Sequence, residues 1–155
     1  MINAEQLIRK LIKQNKTIAL AESFTGGLLS DEFVKVPGAS KVFLGSIVAY
    51  SSDIKTSILG VDKTIINQYS VISAQVVEQM AHNVSKIMKS DIALATTGVA
   101  GPDKQDGKPV GTIFIALSSQ DKIIVKQYTI ETKLRQNIRR QGVRLTLELL
   151  SNYVV

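Results

Sequence analysis

Cysteine is absent from this 155-residue sequence, and histidine occurs once, as His82. The lack of cysteine excludes disulfides and thiolate metal sites. A single histidine cannot build a histidine-rich metal site. A Ser-His-Asp triad would have to use His82, because the sequence has no other histidine. His82 follows a core position of a predicted helix, and we interpret it as a surface or boundary residue. Serine, threonine, tyrosine, lysine and the two acids are left to carry any chemistry.

Long hydrophobic runs are also missing. No apolar stretch approaches the roughly 18 residues that a membrane-spanning helix needs. The apolar residues of the segment 1–10 are spaced by three and four, without a signal-peptide core or cleavage pattern. We therefore expect a soluble, cytoplasmic protein with no membrane partner. The length predicts one domain over residues 1–155, and 45% apolar with 21% charged residues is typical of a folded chain.

Acidic residues are fewer than basic ones, and the formal net charge is +6. This balance suits an anionic partner, either nucleic acid or a phosphorylated small molecule, although an ordinary solvated surface would also produce it. Arg135 and Arg139 are four residues apart, share one helix face and could clamp a phosphate. The alternative for most of this acid-free stretch is a solvated helix face. Its basic residues are Lys133, Arg135, Arg139, Arg140 and Arg144.

Hydrophobic periodicity alternates along the chain between helical and strand spacing. It predicts helices over 4–14, 28–36, 52–58, 73–88 and 133–153, and strands over 17–21, 42–51, 92–97, 111–118 and 122–130. Ser52-Asp53 and Ser73 are predicted to cap the third and fourth helices. The core stripe of the fourth helix would be Val76, Val77, Met80, Ala81, Val84 and Ile87. This order predicts a three-layer α/β/α domain with a mixed, mostly parallel sheet of about five strands, the last two forming a hairpin.

The segment 21–27, Ala-Glu-Ser-Phe-Thr-Gly-Gly, lies between the first predicted strand and the next helix. In open α/β sheets, ligands bind beyond the carboxyl ends of strands. The amides of Thr25, Gly26 and Gly27 could approach a ligand closely, and Ser23 could be a nucleophile beside such oxyanion donors. The alternative is that Ser23 or Thr25 caps the helix and the glycines only shape the turn. The segment matches neither the G-x-G-x-x-G fingerprint nor a P-loop.

Two further strand ends carry polar or flexible residues. Tyr50 ends the second predicted strand, and Lys55 follows five residues later. A lysine can act as the base for a serine if its pKa is lowered by burial or neighbours, whereas the alternative is a packed tyrosine and a surface lysine. Thr97 and Gly98 end the third strand, where an ordinary glycine-proline turn is the alternative. Glycines and hydroxyls thus cluster at the ends of both the first and the third strand, and these two clusters could face one crevice.

The segment 21–27 is similar to the signature of the CinA C-terminal domain family, the nicotinamide-nucleotide amidohydrolases. Other stretches resemble the family in order and spacing, namely 36–40, 48–51 with Lys55, 59–61, 97–102 and 108–112, so the resemblance covers roughly residues 5–150. Phe24 stands where the family usually has cysteine, which predicts a changed pocket wall rather than lost chemistry. The charged loop 103–107 replaces a stretch that is often rich in glycine.

The resemblance implies hydrolysis of the carboxamide of nicotinamide mononucleotide to nicotinate mononucleotide and ammonia, without a metal or organic cofactor. It also implies a catalytic Ser-Tyr-Lys set, which falls on Ser23, Tyr50 and Lys55. We further expect substrate contacts from Thr25, Gly26, Gly27, Thr97, Gly98, Arg135 and Arg139.

Two functions of other classes remain as alternatives. A nucleotide-binding module without turnover would bind the ligand and release no ammonia. A nucleic-acid-binding protein would show an affinity that falls steeply with salt. Nucleic acid is the less favoured partner, because few aromatic residues are available for stacking. Many members of the family carry an additional N-terminal domain with a pyrophosphatase activity, which we do not expect from this chain, and the sequence leaves homo-oligomerisation open.

Overall fold

A computed structural model describes residues 3–154, which include five strands in one sheet. The strands are β1 (Ile18–Glu22), β2 (Phe43–Val48), β3 (Ile92–Gly98), β4 (Thr112–Ser119) and β5 (Ile123–Thr129). Their order across the sheet is β2-β1-β3-β4-β5. Strand β1 pairs in parallel with β2 and β3, whereas β4 runs antiparallel to both β3 and β5. The predicted mixed sheet is confirmed, and its antiparallel member is the first strand of the predicted hairpin.

Helices cover both faces of this sheet, so the three predicted layers are confirmed. They are α1 (Ala4–Gln14), α2 (Leu28–Val34), α3 (Ser52–Ser57), α4 (Lys63–Tyr69), α5 (Ala74–Met88) and α6 (Arg135–Tyr153). One hydrophobic cluster joins the sheet to α1, α2 and α6, and a second joins its other face to α5. Within residues 3–154, none of the helices combines the length and apolar character needed to cross a bilayer.

The central strands alternate large and small side chains, and this alternation decides which helices lie on each face. Leu20 and Leu94 face α1, α2 and α6, whereas Ala19, Ala21 and Ala93 face α5. Small residues allow a helix to approach a sheet closely. The central strands are buried on both faces, as expected for the inner strands of an α/β sheet.

The differences from the predicted elements have local causes. The helix α4 was not predicted, because only the adjacent Ile65 and Ile66 pack partly against the core, and two neighbouring residues make no periodic apolar stripe. Ser73 caps α5 as predicted, but Ile87 is 50% exposed, so its place in the core stripe is wrong. The last turn of α5 places Met88 beside Gly45 instead. The third helix is capped by Ser51, which accepts a hydrogen bond from the amide of Ile54, and not by Ser52-Asp53.

Candidate active site

A cleft of about 270 Å³ lies beyond the carboxyl ends of the parallel strands. The turn after β1 contributes Ser23 to its wall, and the connection from β2 into α3 contributes Tyr50 and Lys55. The end of β3 contributes Thr97 and Gly98. The predicted convergence of the strand ends is therefore confirmed. A larger groove of about 810 Å³ between α1, α2 and α6 contains none of these residues.

Ser23 and Lys55 are joined in the cleft by a direct contact between their side chains. The Lys55 Nζ atom lies 3.0 Å from the Ser23 Oγ atom, 2.8 Å from the carbonyl oxygen of Ala49 and 3.5 Å from that of Tyr50. Lys55 is 2% exposed and Ser23 is 8% exposed. The contact joins the β1–α2 turn to α3 across 32 residues of sequence.

Burial lowers the pKa of Lys55 from its ordinary value of 10.5 to about 8, because a buried ammonium loses its hydration. Within residues 3–154, no carboxylate lies within ion-pair distance of Lys55 to offset this loss. A neutral amine has two N–H groups for the Ala49 and Tyr50 carbonyls, and its lone pair can face the Ser23 hydroxyl. The surroundings of Lys55 therefore suit a base that accepts the proton of Ser23.

Tyr50 lines the cleft, but its hydroxyl bonds to Arg135 and not to Ser23 or Lys55. Its side chain is 61% exposed, and its hydroxyl accepts a 2.8 Å hydrogen bond from Arg135 Nη2. Arg135 also donates from Nη1 to the Gly101 carbonyl at 2.5 Å. The backbone carbonyl of Tyr50 thus contacts Lys55, and the side chain of Tyr50 contacts Arg135.

Two of the three turn amides singled out in the sequence, those of Gly26 and Gly27, are already used inside the protein. The Gly26 amide donates to the Ser23 carbonyl at 3.0 Å, and the Gly27 amide donates to Glu22 Oε2 at 3.1 Å. The Thr25 side chain is buried and donates to Glu22 Oε2 at 2.7 Å. Thr25, Gly26 and Gly27 do not line the cleft. The alternative that Ser23 or Thr25 caps α2 is not observed either, since α2 begins after Gly27 without a side-chain cap.

Glu22 is the residue of this region that sequence analysis missed. It is fully buried at the end of β1, and its carboxylate accepts hydrogen bonds from the amides of Gly27, Leu29 and Ser30. The positive end of α2 therefore faces an internal carboxylate instead of a ligand. An acid next to a run of buried apolar residues was the available signal, because buried carboxylates are rare without a specific set of donors.

The other predicted substrate contacts divide into two groups. Thr97 and Gly98 line the cleft, although the Thr97 hydroxyl already donates to the Val71 carbonyl at 2.9 Å. Arg135 also lines the cleft, whereas Arg139 does not. Arg139 instead donates to the backbone carbonyl of Phe24, at 3.0 Å.

The two departures from the family pattern have visible consequences. The Phe24 ring is buried against α6, where a methyl group on Gly142 would lie 2.5 Å from its Cζ atom. The loop 103–107 is tied to the cleft wall, since Asp106 Oδ2 accepts a 2.6 Å hydrogen bond from Ser70 Oγ.

Cleft-lining residues that the sequence analysis did not assign to the site include Ser52, Ile72, Asp103 and Gln105. Among residues 3–154, no cluster of three or more acids or histidines is placed to hold a metal ion.

The fold and the cleft together define a three-layer α/β protein with a buried serine–lysine pair at the strand ends. Residues 2–154 match the profile of the CinA C-terminal domain, and the chain belongs to that family.

Relatives of known sequence or structure agree with this assignment. The chain is 42% identical over 152 residues to a CinA-like protein of Pseudothermotoga lettingae, covering 96% of this chain and 37% of that relative. It is 26% identical to the crystal structure of a competence-damaged protein (CinA) superfamily protein from Enterobacter cloacae, with a TM-score of 0.94, covering 100% and 94% of the two chains. The competence/damage inducible protein CihA of Agrobacterium tumefaciens is 30% identical, with a TM-score of 0.89 and coverage of 96% and 94%. The chain thus spans little more than a third of the curated relative.

Proposed function

We propose that this protein hydrolyses the carboxamide of nicotinamide mononucleotide to nicotinate mononucleotide and ammonia. The observation that carries the proposal is the 3.0 Å contact between Ser23 Oγ and the buried Lys55 Nζ. A nucleophile and a base within about 2.6–3.2 Å of each other are the geometric signature of covalent catalysis. Membership in the CinA C-terminal domain family supports the choice of substrate.

The proposed reaction has two stages. Neutral Lys55 accepts the proton of Ser23 while the serine oxygen bonds to the carboxamide carbon. The carbon–nitrogen bond then breaks, and the Lys55 ammonium returns the proton to the leaving ammonia. A water molecule attacks the resulting ester while Lys55 takes its proton. The carbon–oxygen bond to Ser23 then breaks to release the acid, and the Lys55 ammonium returns the proton to Ser23 Oγ. Ser23 could instead orient a water molecule that attacks directly.

Charge on the tetrahedral intermediate needs hydrogen-bond donors near Ser23. The amides of Phe24 and Thr25 donate to no acceptor within residues 3–154, and Phe24 directly follows the nucleophile. We assign the oxyanion to these amides in preference to those of Gly26 and Gly27, which are engaged. Tyr50 is then a residue of the cleft mouth that holds Arg135 and borders Lys55 through its carbonyl.

Arg135 is the proposed partner of the substrate phosphate. It lines the cleft and uses one N–H on each of two nitrogens for Tyr50 and Gly101. A guanidinium has five N–H groups, so three remain for an anion. Thr97 and Gly98 would border the ribose or the pyridine ring.

The decisive experiment measures ammonia released from nicotinamide mononucleotide by the purified protein and by Lys55→Arg. We expect turnover by the wild type that rises with pH through about 8, where Lys55 loses its proton. Lys55→Arg keeps the positive charge but cannot act as a base near neutral pH, so it should be nearly inactive. Binding of the nucleotide without any ammonia release would replace the proposal by the binding-module alternative.

A further inference from the structure

The turn that presents Ser23 depends on contacts from outside itself. It spans residues 23–27, and its internal hydrogen bonds are those from the Gly26 amide to the Ser23 carbonyl and from the Leu28 amide to the Thr25 carbonyl. Gly26 and Gly27 have φ angles of +53° and +94°, in the region that favours glycine. Such a turn has little regular structure to fix it, so neighbouring side chains decide where the Ser23 hydroxyl lies.

Glu22 binds the donor groups on one side of this turn. Its Oε2 atom accepts hydrogen bonds from Thr25 Oγ1 at 2.7 Å and from the amides of Gly27 and Leu29, each at 3.1 Å. Its Oε1 atom accepts bonds from the amide and the hydroxyl of Ser30. A buried carboxylate with this many donors connects the turn rigidly to the first turn of α2.

Arg139 binds the acceptor groups on the other side. Its Nε donates to the Phe24 carbonyl at 3.0 Å, and its Nη2 donates to the Thr25 carbonyl at 2.8 Å. Nη2 also lies close over Gly26, 3.3 Å from where a Cβ atom would be. Its third nitrogen, Nη1, donates to Gln136 at 3.1 Å. A planar guanidinium with bonds to two consecutive carbonyls fixes both the position and the orientation of the turn.

We infer that Glu22 and Arg139 are positioning residues that hold the Ser23 hydroxyl against Lys55, and that Arg139 is not a phosphate ligand. The inference rests on the proposed role of Ser23 as nucleophile. Loss of Arg139 would leave the Phe24 carbonyl without its donor and the Thr25 carbonyl with only the Leu28 amide, and would allow the turn to move. A misplacement of about 1 Å at a reacting group can cost about a hundredfold in rate.

Replacement of Arg135 and replacement of Arg139 should therefore impair the reaction in different ways. Arg139→Met keeps the apolar stem and removes the donors, so it should lower kcat by about 10- to 100-fold and leave KM within about threefold. Arg135→Met should mainly raise KM, because it removes a contact to the ground-state substrate. Arg140→Met is the matched control, since Arg140 is the next residue of the helix, is exposed and lies outside the cleft. It should behave like the wild type.

A second measurement does not depend on the natural substrate. A fluorophosphonate probe forms a bond from Ser23 Oγ to phosphorus as fluoride leaves, and Lys55 takes the serine proton. Labelling of the wild type should be lost in Ser23→Ala and slowed at least tenfold in Arg139→Met, but unchanged in Arg140→Met. Arg139→Lys can reach one carbonyl instead of two and should be intermediate. This variant keeps the test decisive if Arg139→Met does not fold.

The outcomes separate the two proposals. If labelling depends on Arg139 but the wild type releases no ammonia from nicotinamide mononucleotide, the positioning role is supported and the proposed substrate is wrong. Ammonia release with unchanged kcat and labelling in Arg139→Met, or with a change in KM alone, would overturn the positioning role and support the proposed function. Wild-type protein that is neither labelled nor active would overturn both.

Discussion

Replacing Lys55 by methionine should change how the stability of the protein depends on pH. The Lys55 side chain is 2% exposed, and burial lowers its pKa from 10.5 to about 8. Between these two values the unfolded chain carries a proton that the folded protein has lost. The free energy of unfolding of the wild type must therefore rise with pH across this window. Lys55→Met lacks the titrating group, so its stability should lack this contribution.

The size of the effect follows from the two pKa values. A fall from 10.5 to about 8 corresponds to about 3 kcal/mol, since each pKa unit represents about 1.4 kcal/mol. Below pH 8 the wild type bears the whole cost of the buried ammonium, and above pH 10.5 it bears none. Methionine relieves that cost at neutral pH but leaves the Ala49 carbonyl without its donor, which costs about 1–3 kcal/mol. The wild type and Lys55→Met should therefore have similar stability at pH 7. As the pH rises, the wild type should become the more stable of the two.

The assay is urea unfolding of both proteins at several values between pH 7 and pH 10.5, with the difference in unfolding free energy plotted against pH. Taking the difference cancels the other titrating groups that the two proteins share. Lys13→Met, at an exposed lysine of α1, is the control for loss of a surface charge. A difference between wild type and Lys55→Met that stays constant from pH 7 to pH 10.5 would refute the argument that burial lowers the pKa of Lys55.

Three further predictions concern the nucleophile, the phosphate and the core. Ser23→Ala should lower turnover by several orders of magnitude. Its melting temperature should stay near that of the wild type, because Ser23 caps no helix. Ammonia release by Ser23→Ala at the wild-type rate would mean that a water molecule, and not Ser23, attacks the carboxamide. Nicotinamide riboside should be a poorer substrate than the mononucleotide by about ten- to over a hundredfold, the value of one charge-assisted bond to Arg135; equal kcat/KM on both compounds would remove Arg135 from phosphate binding. Gly142→Ala should destabilise the protein by about 1–3 kcal/mol through its clash with Phe24, and Phe24→Cys should reduce that cost when the two are combined; additive melting-temperature changes would contradict this coupling.

Much of the fold could be predicted because it depends on short-range patterns. The periodicity of α5 and its Ser73 cap are local signals, and the structure confirms them apart from Ile87. The convergence of Ser23 and Thr97 at one sheet edge followed from the strand–helix alternation, since parallel strands end on the same side. The helix α4 gave no such signal, because its partly buried residues are two neighbours in the sequence and form no periodic stripe.

Side-chain direction in the site could not be read in the same way. The sequence left Lys55 open between a base for a serine and a surface lysine until the family resemblance was added, because the burial that lowers its pKa depends on the folded surroundings of α3. The Tyr50 hydroxyl turns to Arg135, which is 85 residues away, and no local pattern fixes that choice. The sequence pattern assigns Glu22 no role, because the donors of Gly27 and Leu29 gather around its carboxylate only when the turn has formed.

The spacing of Arg135 and Arg139 in the sequence does not predict that the two side chains have different partners. Two arginines four residues apart on a helix share a face, and the same phosphate could be expected to meet both. At the start of α6, Arg135 reaches the mouth of the cleft and donates two hydrogen bonds, one to Tyr50 and one to Gly101. One turn later the same face crosses the Ser23 turn, where the part-buried Phe24 and Thr25 carbonyls accept hydrogen bonds from Arg139. A buried carbonyl without a partner is costly, so Arg139 serves the backbone while Arg135 keeps three N–H groups for a ligand. The role of each arginine is thus set by which acceptors lie opposite it, and those acceptors belong to parts of the chain more than 30 residues away.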